Sequence, residues 1–467
     1  MHSKLKVCVK ILFRIIMKLK AVSLFCGCGG LDWGFHEHDV EIIAAIDNDL
    51  AAIKCYNHNF GKGGICLSVN DPEFKNLINK IGKVDIVIGG FPCQGFSKSG
   101  PKKKDDPRNT LYESMLYAIQ ILNPSVFVAE NVDGLAQNYK GELLSKIFND
   151  FNSLGYIVEY KIIDAADFGV PQHRRRIIFI GANSTNKIEW PSPTHIAKTR
   201  NGEFLSKDLL KAEIGLFAQT TTPAITVKES IGDLVEIISK IEDHTIKKIR
   251  PDDMKIIQRI GPGQKLCNVR FSDTSVYTWQ IPEVFGNVSQ REIKILETIA
   301  KNRRKKIYGN IPNGNPLSIE VIAQLSNLQI TQNEIDTLID KKYIKEMDGK
   351  FDIMGAMFCS GLYKRPLWNE PSPTIITVFH SPRFMVHPSE NRPLTIRECA
   401  RLQSFPDCFH FLETGISIED SYRLIGNAVA PKLAYQLAEN VLKLIKKKNT
   451  NETSTAGTRQ DYMAQRI

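Results

Sequence analysis

In the first half of the chain, short apolar runs alternate with segments whose apolar residues recur at helical spacing. Continuous apolar runs of four to eight residues are typical of buried strands, and amphipathic segments between them are typical of helices. The runs are Lys20–Phe25, Val40–Ile46, Val84–Ile88, Val126–Val128, 156–163 and Ile177–Ile180. The helical segments include one after Gly30, Leu111–Ile121, Leu143–Leu154 and Pro431–Lys446. This alternation predicts an α/β fold with a doubly wound, Rossmann-like open sheet.

The second half is less regular, but residues 287–354 give clear local signals. The tetrapeptides Ser289–Glu292 and Thr331–Glu334 read as capping boxes that open helices, and a further helix is predicted near Ser318–Leu325. Met347-Asp348-Gly349 lies between two short strand-like runs and predicts a hairpin. Three helices and a hairpin resemble a winged helix. Residues 196–286 predict little beyond loops and a helix near Lys228–Ile238.

Composition narrows the classes of protein. The 467 residues carry a net charge of +10, which suits a polyanionic partner without requiring one. The ten cysteines include no CxxC pair, so neither a zinc site nor a disulfide framework is expected. We expect the protein to reside in a reducing cytoplasm. No apolar run is long enough to span a membrane. Met17 lies just ahead of the first strand, and we expect residues 1–16 to be an upstream extension.

A lone cysteine follows the strand Val84–Ile88. Cys93 comes just after Gly89-Gly90-Phe91-Pro92, at the strand end where open α/β sheets bind their ligands. Most cysteines are inert small apolar residues, but this position favours a nucleophile. The glycines and serines that follow predict a loop mobile enough to close over a ligand. Glu130 follows another predicted strand at the same sheet edge, and the adjacent Arg174, Arg175 and Arg176 suit an anion and carbonyl clamp.

A second candidate site begins with the glycine-rich turn Cys26-Gly27-Cys28-Gly29-Gly30 between the first strand and its helix. Such a turn lets a ligand approach the backbone at a helix N-terminus. Asp47 ends the next strand, where nucleotide-binding α/β units place an acid that accepts hydrogen bonds from ribose hydroxyls. The glycines do not follow GxGxxG spacing, which favours an adenosine compound without a pyrophosphate over a dinucleotide.

Six segments in one order resemble the DNA (cytosine-5)-methyltransferase family of prokaryotic restriction–modification type. They are Phe25–Gly30, Gly90–Gln94, Glu130–Val132, Gln172–Arg176, Arg392–Thr395 with Arg401–Pro406, and Gly426–Val429. Two positions depart from the family pattern. Ser23 stands where members often have Asp, and Ile65–Ser68 has no acid where many place an aspartate near the adenine.

The resemblance implies S-adenosylmethionine as cofactor, double-stranded DNA as partner, base flipping, and a covalent adduct between Cys93 and C6 of cytosine. It implies roles for three sets of residues. The catalytic set is Cys93, Glu130, Arg174 and Arg176. The cofactor set is Phe25, Cys26, Gly27, Gly29, Gly30, Asp47, Asn48, Gly90, Pro92, Asn427 and Val429. The DNA set is Gln94, Ser97, Ser99, Lys102, Lys103 and Lys104. Apart from the resemblance, the predicted helix Thr331–Asp340 offers Gln332 and Asn333 near its N-terminus as candidates for contact with base edges or phosphates.

These implications give an expected organisation. Residues 20–195 and 390–446 would form the catalytic domain, 196–389 an inserted recognition domain with the winged-helix-like segment 287–354, and 447–467 a disordered tail. We expect a cytoplasmic monomer without a metal, paired with a restriction endonuclease that cuts the same site.

Alternatives remain open at this stage. The enzyme could methylate RNA, or the chain could be a catalytically inactive DNA binder. Residues 287–354 could pack without touching DNA, and the basic run Lys301–Lys306 could be a solvated loop or a phosphate contact.

Overall fold

The structure is a computed structural model that describes residues 18–92, 111–136, 141–183, 187–196, 222–236, 242–245, 248–311, 313–354, 361–379 and 381–446. The predictions for residues 1–17, for the segment from Cys93 to Lys104 and for 447–467 lie outside these ranges. The chain forms two compact units. The first comprises Met1–Asp243, Pro371–Thr377 and Ile396–Ile467, and the second comprises His244–Glu370 and Val378–Thr395.

The first unit is built on a seven-stranded sheet of order β3-β2-β1-β4-β5-β7-β6. Its strands are β1 Lys20–Leu24, β2 Glu41–Asp47, β3 Gly64–Cys66, β4 Ile86–Gly89, β5 Val126–Val132, β6 Ile157–Asp164 and β7 Arg175–Ala182. All neighbouring pairs are parallel except those made by β7, which is antiparallel to β5 and β6. The α/β prediction is therefore confirmed, with a mainly parallel sheet. The chain leaves β1 toward β2 and returns on its other side at β4, which places a switch point between β1 and β4.

Helices cover both faces of this sheet. The helices of the first unit are α1 Gly30–His36, α2 Leu50–Phe60, α3 Pro72–Ile81, α4 Tyr112–Leu122, α5 Glu142–Ser153, α6 Val227–Ile231, α12 Ile396–Leu402, α13 Ile418–Asn427 and α14 at 431–446. Phe35 of α1 and Leu437 of α14 pack in the core on one face of the sheet. Ile119 of α4 and Phe151 of α5 pack in the core on the other. Because both faces of the sheet are covered, the strands read as continuous apolar runs.

Two predicted boundaries were wrong. Strand β5 runs on to Val132, so Glu130 lies inside the strand rather than beyond it, because Glu130 and its neighbours pair with β7. The helix predicted near Lys228–Ile238 is a short α6 followed by a 3-10 turn, Gly232–Glu236. Elsewhere the first unit adds two short parallel strands, β8 His195–Ile196 and β9 Thr222–Pro223.

The second unit contains the three predicted helices and the hairpin. Its elements are α7 Pro251–Arg259, β10 Lys265–Leu266, β11 Ser275–Val276, α8 Pro282–Phe285, α9 Gln290–Asn302, α10 Ile319–Ser326, α11 Gln332–Asp340, β12 Ile344–Met347 and β13 Lys350–Ile353. Both predicted capping boxes, at Ser289 and Thr331, are present. Leu296, Ile335 and Phe351 share one core. The winged-helix assignment itself stays a prediction. Within the described residues no helix is both long enough and apolar enough to cross a membrane.

Candidate active site

The turn after β4 lies directly beside Glu130. In the parallel pair of β4 and β5, Gly89 is opposite Ala129, so the next residue on each strand, Gly90 and Glu130, are neighbours. A β-carbon built on Gly90 would lie 3.3 Å from Oε2 of Glu130. The turn continues through Phe91 and half-buried Pro92. The predicted nucleophile, Cys93, is the next residue and lies outside the described part of the chain.

Glu130 is paired with Arg176 across the β5–β7 ladder. Arg176 is opposite Val132, two residues along from Glu130 and therefore on the same face of the sheet. Nε of Arg176 lies 2.8 Å from Oε1 of Glu130, and both side chains are nearly buried. The approach is too oblique for a hydrogen bond, and no other donor in the described chain reaches Oε1. This carboxyl oxygen is held by charge yet keeps its hydrogen-bonding capacity for a ligand.

Arg174 points to a different partner set. Its buried guanidinium donates to the carbonyl oxygens of Ile375, Gly426 and Ala428 at 3.2, 3.0 and 2.8 Å. Burial, followed by the positive charge of Arg176, lowers the pKa of Arg174. Arg174 therefore holds backbone of the first unit, while the half-exposed side chain of Arg175 lies 4.0 Å from Asp133. The three adjacent arginines do not form one clamp.

Two glutamines that the sequence analysis did not single out as site residues complete this anchorage. Buried Gln172 accepts from the N–H of Ile375 at 2.9 Å, and its amide donates to the carbonyl of Leu402 at 2.9 Å and to Gln403. Gln403 in turn donates to the carbonyl of Ala428 at 2.6 Å. Ala428 lies between Asn427 and Val429, both predicted cofactor residues. These hydrogen bonds fix the backbone segment that carries Asn427 and Val429.

Asn131 is a further residue that the sequence analysis did not assign to the site. Its buried amide donates to the carbonyl of Phe91 at 2.9 Å. Since Phe91 is two residues before Cys93, Asn131 ties the turn that leads to Cys93 to the strand that carries Glu130. The triplet Glu130-Asn131-Val132 was the signal that could have found it.

The glycine turn and Asp47 come together as predicted. Phe25 has φ +54°, Gly27 +56° and Gly29 +93°, so the turn uses the left-handed region that favours glycine. The N–H of Gly27 donates to Oδ2 of Asp47 at 2.8 Å, and that of Asp49 donates to Oδ1 at 2.9 Å. Burial raises the pKa of Asp47. A β-carbon on Gly27 would meet open space, which leaves room over the turn for a ligand.

The far end of the chain closes on the same turn. A β-carbon on Gly30 would lie only 2.3 Å from the carbonyl oxygen of Val429, so glycine is required for this approach. Val429 is buried, whereas Asn427 and Asn48 are exposed. Cys26 is buried, and burial raises the pKa of its thiol.

A buried acid accompanies the unusual Ser23. Oγ of Ser23 donates to Asp32 at 2.8 Å, and the hydroxyl of Tyr56 donates to its other oxygen at 3.0 Å. Asp32 is fully buried, and burial raises its pKa to about 7. Asp32 belongs to the helix that follows the glycine turn. A carboxyl group from α1 therefore lies beside Ser23, which the sequence analysis did not notice.

The remaining predicted residues belong to the second unit or lie outside the described part of the chain. Gln94, Ser97, Ser99, Lys102, Lys103 and Lys104 are outside the described residues. Gln332 and Asn333 are exposed on α11 of the second unit, where the Gln332 amide donates to Asp336 at 2.8 Å. Among the described residues no group of His, Cys, Asp and Glu could hold a metal ion.

The chain is similar to one protein family and to several known proteins. A family model described as C-5 cytosine-specific DNA methylase matches residues 19–443. The Type II methyltransferase M.BanI of Aneurinibacillus aneurinilyticus is 30% identical over 452 residues, covering 93% of this chain and 97% of the relative. M.AgeI of Thalassovita gelatinovora is 26% identical over 462 residues, covering 91% and 99%. The solved structure of S. pombe Dnmt2 methyltransferase is 16% identical with a TM-score of 0.47, covering 92% and 99%.

The family model spans most of the chain, and the thiol, carboxyl and arginine positions of the sequence motifs fall within it. The chain therefore belongs to the C-5 cytosine-specific DNA methylase family and is a DNA (cytosine-5)-methyltransferase.

Proposed function

We propose that this enzyme uses S-adenosylmethionine to methylate C5 of a cytosine flipped out of duplex DNA, through a covalent adduct between Cys93 and C6. The observation that carries the proposal is the Glu130–Arg176 pair beside the Gly90–Pro92 turn, which leads directly into Cys93. Its relatives M.BanI and M.AgeI are named Type II methyltransferases. We extend this to a cytoplasmic, monomeric modification enzyme that protects DNA from an endonuclease acting on the same site.

The residues around the glycine turn fit the cofactor. S-adenosylmethionine, when bound, supplies the electrophilic methyl group. Asp47 has carboxyl oxygens with lone pairs left for ribose hydroxyls after each accepts one backbone N–H. Phe25 offers a half-buried ring for the adenine, and Gly27 leaves the backbone open to approach. We also assign to the cofactor pocket the remaining predicted residues, Cys26, Gly29, Gly30, Asn48, Gly90, Pro92, Asn427 and Val429.

Cytosine C5 is too weak a nucleophile to take a methyl group unaided, so the ring must first gain electrons. Addition of the Cys93 thiolate to C6 provides them, and C5 then becomes reactive. Glu130 donates a proton to N3 and accepts a hydrogen bond from the exocyclic amine, so that negative charge developing on the ring is neutralised. Once C5 carries the methyl group, its proton passes to water, the bond between C6 and the Cys93 sulfur breaks, and the C5–C6 double bond forms again.

The two arginines divide the remaining work. Arg176 holds Glu130 by charge, and we assign to it a contact with the base carbonyl. Arg174 contributes indirectly, because its guanidinium fixes backbone at Gly426 and Ala428 on either side of Asn427. It is a positioning residue in this account.

The target base must leave the stack to reach these groups, at a cost of a few kcal/mol. We assign closure over the flipped base to the loop after Cys93, with Gln94, Ser97 and Ser99 near the DNA. Lys102, Lys103 and Lys104 would neutralise phosphates. Gln332 and Asn333 remain candidates for contact from the second unit.

Bisulfite sequencing tests the proposal directly. Plasmid DNA from cells that express the full chain should show protected cytosines in one recurring sequence, and plasmid from cells that express Cys93→Ala should show none. Methylation of RNA with no protected cytosine in DNA would contradict the choice of substrate. Equal protection of cytosines by the wild type and Cys93→Ala would contradict the assignment of Cys93 as the nucleophile.

A further inference from the structure

The chain after α9 forms a loop that is anchored at its base. Arg303, directly after the helix, is buried with Asp352 of β13, its Nε and Nη2 each 2.6 Å from a carboxyl oxygen. Its Nη1 donates to the carbonyl of Val269 at 3.1 Å. A bidentate arginine–carboxylate pair fixes direction as well as distance, so the chain leaves α9 along a defined path.

Asn315 anchors the other side of the loop. Its buried amide donates to the carbonyl oxygens of Gly309 at 3.0 Å and Arg303 at 3.3 Å, and its Oδ1 accepts from the N–H of Ile311 at 2.9 Å. Gly309 has φ +138°, and a β-carbon there would lie 2.5 Å from Oδ1 of Asn315. The backbone from Arg303 to Ile311 is thus held by side chains that face inward.

The outward side chains of this loop are of two kinds. Arg304, Lys305 and Lys306 are exposed, and no carboxylate of the described chain forms an ion pair with them. Ile307 is 79% exposed and Ile311 is 50% exposed. Both aliphatic side chains lie on an anchored loop beside these cations, where a polyanionic partner bound to the cations would cover them.

The surface next to the loop is also cationic. Arg270 is exposed and follows Val269, the residue whose carbonyl Arg303 holds. Burial, and then the positive charges of Lys265 and Arg270, lower the pKa of Lys364, so these cations lie close together. The acids nearby are engaged: Glu297 pairs with Lys301 at 3.1 Å, and Asp352 pairs with Arg303.

The helix α11 has the opposite character. Glu334 is bonded to Arg291, and Asp336 to Gln332, while Asp340 is exposed at the helix end. The net negative charge of this face opposes approach to phosphates, whereas the loop attracts them.

Building on the proposed function, we infer that the segment Arg304–Ile311 is a DNA-reading loop of the second unit. Arg304, Lys305 and Lys306 hold the phosphates, and Ile307 enters a groove against base edges. Cations give affinity without sequence preference, whereas an apolar side chain in a groove contacts features such as the thymine methyl group that differ between base pairs. The loop then contributes to both affinity and site choice.

The phosphate part is tested by salt dependence. Anisotropy titrations of a fluorescent duplex of arbitrary sequence with the full-length Lys305→Ala/Lys306→Ala variant should give a flatter plot of log affinity against log salt. Two lost phosphate contacts change the slope by about 1.8. The matched control is Lys80→Ala/Lys83→Ala, which removes the same charge from exposed lysines ahead of β4, at the opposite sheet edge from Gly90.

The groove part is tested with Ile307→Ala. Because Ile307 is so exposed, this change should leave thermal unfolding as in the wild type. On the duplex carrying the site found by bisulfite mapping, we expect affinity to fall about tenfold with an unchanged salt slope, as for one lost base contact. Bisulfite sequencing should also find methylation at sites with one altered base pair.

Four outcomes separate the ideas. A flatter slope in the loop variant alone, together with relaxed site choice in Ile307→Ala, supports the inference. Equal slopes in the loop and control variants, or unaltered site choice, would overturn it even if the wild type methylates DNA. A wild type that methylates no DNA would instead contradict the proposed function. If Gln332→Ala/Asn333→Ala relaxes the choice of methylation site and Ile307→Ala does not, recognition of the DNA sequence belongs to α11 instead of the loop.

Discussion

Oε1 of Glu130 lies 2.8 Å from Nε of Arg176, across the only antiparallel boundary that β5 makes. In a parallel sheet the next strand would run the same way and bring its own C-terminal end to this edge. Because β7 is antiparallel to β5, the N-terminal residues of β7, starting at Arg175, lie at the edge of the sheet where β5 ends. The reversed strand thus brings the guanidinium of Arg176, near its own N-terminal end, to the carboxyl group of Glu130.

Replacing Glu130 with glutamine should lower turnover by about 10²–10⁴-fold, the usual contribution of a positioned acid or base. The shape is kept, but the negative charge that pairs with Arg176 is lost, along with the ability to donate a proton to the ring. Cofactor affinity, measured by calorimetry, should stay within about twofold because the glycine turn is untouched. A variant with wild-type turnover would remove Glu130 from the chemistry.

Asp47→Ala should show the reverse pattern. Loss of a charged acceptor for ribose hydroxyls typically costs about 1.5–3 kcal/mol, so we expect cofactor affinity to fall about 10- to 100-fold. Turnover at saturating cofactor should change much less. Asp71→Ala is the control, because Asp71 is an exposed acid whose side chain makes no capping hydrogen bond. If the two variants bind the cofactor equally well, the ribose lies elsewhere.

Arg174→Ala should lower both stability and cofactor affinity. It removes the guanidinium donor from the carbonyl oxygens of Ile375 and Gly426, whereas the carbonyl of Ala428 keeps its bond from Gln403. Unsatisfied buried groups cost about 1–3 kcal/mol each, so we expect unfolding free energy to fall by at least about 2 kcal/mol. Arg176→Ala, whose guanidinium makes no such backbone network, should mainly lower turnover. Equal stability of the two variants in chemical denaturation would refute the division of roles.

Asp32 should make stability depend on pH. Its pKa is raised from 3.8 to about 7 in the folded protein, so the folded state keeps a proton that the unfolded chain has released. This contribution is fully present below about pH 4 and is lost as pH rises through 7. Relative to Asp32→Asn, the wild type should therefore lose up to roughly 4 kcal/mol of unfolding free energy over this window. Parallel pH profiles would show that Asp32 does not bind this proton.

Local patterns explain which parts of the site were predictable. Asp47 follows a strand visible in the sequence, and the family motifs name Glu130 directly. By contrast, the carbonyls that Arg174 holds are 201, 252 and 254 residues away, and no local pattern encodes such partners. The Ser23–Asp32 bond was missed for a related reason. The sequence analysis compared position 23 of β1 with the family motif by itself. The buried carboxyl group beside it comes from Asp32 of α1, nine residues later.

The course of β5 shows the same limit. Val126–Val128 is apolar and was read as the strand, but Ala129, Glu130 and Asn131 continue it because β7 supplies hydrogen-bond partners. A polar residue inside a strand breaks the apolar pattern that predicts the strand. Functional residues are therefore where such predictions fail.

The central claim is that Cys93 attacks C6 of the target cytosine, and 5-fluorocytosine tests it most directly. Fluorine at C5 cannot leave as a proton does, so the adduct should persist after methyl transfer. The full-length wild type, incubated with S-adenosylmethionine and a duplex carrying 5-fluorocytosine at the mapped site, should give a complex that survives denaturing electrophoresis. Cys93→Ala should give none. A stable complex with Cys93→Ala, or methylation of ordinary duplex by that variant, would contradict the account.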